Sequence, residues 1–125
     1  MSGYVGIRDA LRSGSLAFHH LDAAQLIKHA FGLRTTVQQG AKHAGQRAVL
    51  FYLFAEPKAW SDGRTIPFAD RECHRTEVER FADLVRGDEV EFRSASYSEL
   101  LASWESADGD ALRTHAQALR LRFDV

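Results

Sequence analysis

The stretch RAVLFYLFAEPK, residues 47–58, decides how the rest of the chain folds. Its centre, Val49 to Phe54, is apolar at every position, so neither face of an extended strand would turn polar side chains toward water. We therefore predict a strand that is buried on both faces. Glu56 and Lys58 follow its carboxyl end, where open parallel sheets usually carry their functional groups.

The composition fits one soluble globular domain over residues 1–125, since 45% of the residues are hydrophobic and 26% are charged. The net charge of −1 removes the compositional argument for nucleic-acid or membrane-surface binding, although a local basic patch stays open. The single cysteine, Cys73, cannot form an internal disulfide, which suits a reducing cytoplasm. No window reaches the roughly 20 apolar residues that cross a bilayer, so we predict a cytoplasmic protein without a membrane segment.

Helical spacing of apolar residues predicts helices before and after the central strand. These helices run over Tyr4–Leu11, from Asp22 to an end between Gly40 and Gly45, Val78–Val85, Tyr97–Trp104 and Leu112–Phe123. Ser13-Gly14-Ser15 should end the first helix, and Ser96-Tyr97-Ser98-Glu99 has the spacing of a capping box that begins the fourth. A second strand is predicted where Val90 and Phe92 alternate with charged residues, as expected for a strand with one buried face. By the handedness of crossover connections, this strand should lie parallel to the first.

The number of strands raises a difficulty for this sheet. A strand that is apolar on both faces belongs in the middle of a sheet, but the chain supplies only one other convincing strand. At least one of its edges therefore lacks a partner. A second copy, a missing N-terminal portion of a longer ancestor or one of the helices could cover that edge. We expect homodimerisation to complete the sheet.

Four segments of the chain carry a family resemblance. They are LDAAQLIKHAFGL (21–33), RAVLFYLFAEPKAW (47–60), HRTEVERFADLV (74–85) and SYSELLASW (96–104). The sequences of these segments and their order along the chain resemble the C-terminal half of restriction endonuclease-like proteins of the PD-(D/E)XK nuclease superfamily. The resemblance implies an α/β fold in which a small, mostly parallel sheet is flanked by helices, as a truncated restriction-endonuclease-like core.

In that superfamily, an acidic residue and an acid-x-Lys triplet on neighbouring strands hold Mg²⁺ and assist a water. Glu56-Pro57-Lys58 matches the acid-x-Lys pattern of the triplet. The resemblance therefore implies catalytic roles for Glu56 and Lys58, with Glu56 as a Mg²⁺ ligand. No strand that ends in Asp precedes this triplet, and Pro57 has no backbone N–H to donate to a neighbouring strand. We therefore expect no nuclease activity from this chain alone. The plainer interpretation of Glu56 and Lys58 is a solvent-exposed ion pair.

The helix that begins near Asp22 offers candidate DNA contacts. Gln25 and Lys28 match by position the Gln or Lys that the superfamily often carries on the corresponding helix, facing the site. Arg34 adds a further cation that could meet phosphate. Helix capping by Asp22 accounts for Gln25 without any ligand, and Lys28 is equally explained as a solvated side chain.

Aromatic residues after the central strand suggest a small-ligand pocket lined by Trp60, Phe68 and Trp104, although such residues more often belong to a core. Two functions stay open on the residues alone. The first is a restriction-endonuclease-like fragment or subunit associated with DNA. The second is a non-catalytic homodimeric α/β module that binds a small molecule or a protein partner.

Overall fold

The computed structural model describes residues 1–39, 42 and 45–123, which form five α-helices and two β-strands. In chain order these are α1 (Ser2–Ser13), α2 (Ala23–Gln38), β1 (Ala48–Phe54), α3 (Phe68–Leu84), β2 (Val90–Ser96), α4 (Tyr97–Glu105) and α5 (Asp110–Phe123). The strands pair in parallel as a two-stranded sheet that helices flank. The predicted α/β class is therefore confirmed.

The chain divides into two compact units. The first consists of Met1–Phe51 and Ala69–Arg93, and the second of Tyr52–Phe68 and Ser94–Val125. The first unit therefore holds α1, α2, nearly all of α3 and the first residues of both strands. The second unit holds the remaining strand residues, the connection after β1, α4 and α5.

Phe81 on α3 is completely buried in the core of the first unit. Its ring makes edge-to-face contacts with Tyr4, Phe18 and Phe92, at centroid separations of 6.0, 6.2 and 4.9 Å. The aromatic quadrupole favours this geometry over face-to-face stacking. The Tyr4 hydroxyl donates a hydrogen bond to the Val90 carbonyl oxygen at 2.9 Å, and burial raises the pKa of Tyr4 to about 12. These contacts hold α1 against α3 and the start of β2.

Asp88 caps the N-terminal end of α1 from the turn that precedes β2. Its carboxylate accepts hydrogen bonds from the N–H groups of Gly3 and Tyr4, at 2.9 and 3.3 Å, and pairs with the Met1 amino group at 2.7 Å. Burial of Asp88 opposes ionisation, but hydrogen bonds from the Met1 amino group and the Glu89 and Tyr4 N–H groups lower its pKa. An anion at this position is also favoured by the helix dipole.

In the second unit, α4 begins with the predicted capping box. The Ser96 hydroxyl accepts from the Glu99 N–H at 3.0 Å, while the Glu99 carboxylate accepts from the Ser96 N–H at 2.8 Å. Arg120 on α5 donates to the Glu105 carboxylate and, at 2.9 Å, to the Ser98 carbonyl oxygen. These bonds join α5 to both ends of α4.

The helix bounds agree with the sequence pattern except at α2 and α3. Helix α2 ends at Gln38, earlier than the predicted end between Gly40 and Gly45, because Gln39 leaves the helical conformation with ψ 88°; Gly40 itself lies outside the described residues. As predicted, α1 ends before Gly14, which adopts the left-handed conformation with φ 78°. The prediction for α3 was too short, because the helix begins at Phe68 rather than near Val78. Its first turns are rich in charged residues and show no apolar periodicity. Among the residues with described positions, no helix is long and apolar enough to cross a membrane.

Candidate functional site

Burial alternates over the first four residues of β1. Ala48 and Leu50 are only 8% exposed, whereas Val49 and Phe51 are 40% and 49% exposed. The prediction that β1 is buried on both faces is therefore wrong. The strand is apolar on both sides, but the described chain covers the side of Ala48 and Leu50 more fully than the other side. Because side chains on a strand alternate, Val49 and Phe51 share the less covered side.

Three charged side chains accompany these two apolar residues. The Glu91 carboxylate on β2 lies 2.7 Å from Arg93 Nε and 3.9 Å from an Arg47 guanidinium nitrogen. The hydrogen bond from Arg93 lowers the pKa of Glu91. Together, Arg47, Val49, Phe51, Glu91 and Arg93 form what we call the outer face, and all of them belong to the first unit.

The sheet also leaves one edge of β1 without a strand partner. In the part of the chain that the structure describes, β1 pairs with β2 alone, so its opposite edge has no neighbouring strand. Unpaired strand edges next to exposed apolar side chains are features that proteins usually shield, because both favour pairing with another chain. β1 therefore combines two features, an exposed apolar face and an unpaired edge, that favour pairing with another chain.

Glu56 and Lys58 follow β1 in the second unit, where Glu56 is partly buried and Lys58 is exposed. The Lys58 carbonyl oxygen accepts a hydrogen bond from the Ile66 N–H at 2.9 Å. Within residues 1–39, 42 and 45–123, no group of three or more His, Cys, Asp or Glu side chains could hold a metal ion. The catalytic and Mg²⁺-binding roles of Glu56 and Lys58 stay predictions.

The connection after β1 forms a short hairpin with Trp60 beside its tip. The Trp60 N–H donates to the Arg64 carbonyl oxygen at 2.8 Å, and the Gly63 N–H donates to the Trp60 carbonyl oxygen at 3.0 Å. Gly63 has φ 87°, which completes a turn with a glycine bulge. The Asp62 carboxylate accepts from Arg64 Nε at 2.6 Å and braces the tip. Hydrogen bonds among residues 60–64 therefore hold the hairpin in this conformation.

The three predicted pocket residues lie on different elements of the second unit. Trp60 and Phe68 are 56% and 66% exposed, on the hairpin and at the first position of α3. Trp104 on α4 stacks against His115 of α5, with ring centroids 6.1 Å apart. The Trp104 ring is therefore a packing contact between two helices. A ligand pocket beside Trp60 stays a prediction.

The predicted DNA contacts lie on α2. Asp22 caps this helix, as predicted, by accepting a hydrogen bond from the Gln25 N–H at 3.1 Å. The Gln25 and Lys28 side chains are exposed. Arg34 Nε donates to the Glu89 carboxylate at 2.9 Å, and this bond lowers the pKa of Glu89. Arg34 is therefore already paired with a carboxylate, while its binding to DNA stays a prediction.

A buried carboxylate on α3 was missed by the sequence reasoning. Glu77 is only 7% exposed and accepts hydrogen bonds from the backbone N–H groups of His19, His20 and Leu21, at 2.8, 3.0 and 3.0 Å. Burial opposes its ionisation, but these hydrogen bonds prevail and lower the pKa of Glu77. Its position four residues before Phe81, on the buried stripe of α3, is the sequence signal that could have found it.

The surroundings of Glu77 favour a structural role. The Cys73 thiol lies 3.6 Å from the Glu77 carboxylate, and burial, together with this carboxylate, raises the pKa of Cys73. A thiol held protonated in this way is a poor nucleophile. An open depression of about 470 Å³ adjoins the loop that precedes α2 and is lined partly by His19, His20 and Asp22. Glu77 fixes the wall of this depression.

Comparisons of the chain with protein-family models, with curated proteins and with solved structures found no match. The relationship to the PD-(D/E)XK nuclease superfamily stays a prediction. Of the features described above, the outer face and the unpaired edge of β1 offer the clearest basis for a function. They combine large exposed apolar side chains with backbone groups that can pair with another strand.

Proposed function

We propose that this chain is a non-catalytic α/β module that works by self-association through β1. The observation that carries the proposal is the exposure of Val49 and Phe51 on a strand whose second edge has no strand partner in the described residues. Removing apolar surface from water is worth about 25 cal/mol per Å², so covering these side chains favours association. The proposal includes a cytoplasmic location, which rests on the single cysteine.

Sedimentation equilibrium of the wild type and two variants tests this function. We expect the wild type to dimerise at micromolar concentrations and Phe51→Lys to be monomeric, because a lysine on a strand opposes edge and face pairing. Leu84→Lys is the matched control, since Leu84 is 45% exposed but lies on α3. Far-UV circular dichroism checks that both variants are folded. A monomeric wild type at about 100 μM would contradict the proposal.

We also propose, as a second function, a restriction-endonuclease-like fragment or subunit that associates with DNA without cutting it alone. The position of Glu56 and Lys58 after β1 supports this function, since loops at the carboxyl ends of parallel strands often carry functional groups. We expect no plasmid cleavage by the isolated chain in Mg²⁺. Duplex binding at low salt should weaken in a Lys28→Ala variant. Cleavage that Lys58→Ala abolishes would instead show an active nuclease.

A further inference from the structure

We draw no further inference here: the strongest candidate, the cleft of about 450 Å³ at the turn between α3 and β2, does not identify a ligand, because Arg47, Arg86, Asp88 and Glu91, the charged side chains described along its wall, already form ion pairs within the chain.

Discussion

The Glu77 carboxylate on α3 accepts a hydrogen bond from the backbone N–H of His19 at 2.8 Å, across 58 positions of sequence. The same carboxylate accepts hydrogen bonds from the backbone N–H groups of His20 and Leu21. The loop that leads into α2 is therefore bound to α3. Successive N–H groups that converge in this way form an anion-binding concavity, and here the anion is supplied by the chain itself. A local loop conformation thus depends on a distant side chain.

Replacing Glu77 should therefore destabilise the fold in a pH-dependent way. We expect Glu77→Gln to lower the free energy of unfolding at pH 7 by about 1–3 kcal/mol, because buried N–H groups lose a charged acceptor. The pKa of Glu77 lies below its ordinary value of 4.5, so its stabilisation is present above pH 4.5 and is lost as the pH falls through the folded-state pKa. Urea unfolding at a series of pH values measures the difference.

The exposed Glu79 on the same helix gives the control for this experiment. Glu79→Gln should change the free energy of unfolding by less than about 0.5 kcal/mol at any pH, as surface substitutions usually do. If the difference between the wild type and Glu77→Gln stayed constant down to pH 2, the hydrogen bonds to the ionised carboxylate would not be its cause.

Two glycines of α1 should respond to alanine with opposite signs. A Cβ at Gly3 would lie 2.6 Å from the Leu84 carbonyl oxygen and 3.0 Å from Val85 Cα, so Gly3→Ala should cost about 1–3 kcal/mol. A Cβ at Gly6 would meet nothing within 4 Å, and alanine is a better helix former, so Gly6→Ala should gain about 0.5–1 kcal/mol. Thermal unfolding of both variants measures the signs. A neutral Gly3→Ala would show that α1 does not approach α3 this closely.

The sequence predicts those parts of the fold that local patterns determine. β1 is found where the apolar run is longest, and the Ser96 capping box begins α4 because the bonding groups lie three residues apart. Gly14 ends α1 because glycine adopts the left-handed conformation easily. In each case, residues close together in the chain supply both the signal and its partner.

The remaining features depend on contacts between distant residues. The run from Val49 to Phe54 shows which side chains avoid water but does not show which face the chain will cover. Glu77 has the composition of a surface residue, and only the loop at His19 makes its burial favourable. Residue type and periodicity alone therefore gave the wrong burial for one side of β1 and missed a buried carboxylate.

The candidate site likewise has features that nearby residues determine and features that contacts between distant residues determine. Glu56 and Lys58 were predicted to follow β1, and the structure shows them there, but the spacing of two residues does not establish a shared role. Arg34 was predicted as a phosphate contact, and its carboxylate partner Glu89 lies 55 positions away. Such a pairing follows from the approach of two elements, which local sequence does not specify.

Ser96 should contribute more to stability than its size suggests, because it is both the last residue of β2 and the cap of α4. It is only 1% exposed, so an alanine there would leave the Glu99 N–H without its acceptor. We expect Ser96→Ala to lower the free energy of unfolding by about 0.5–2 kcal/mol in urea titrations. Ser106→Ala, at the exposed far end of α4, should change it by less than about 0.5 kcal/mol. Equal effects of the two variants would show that the capping box does not stabilise α4.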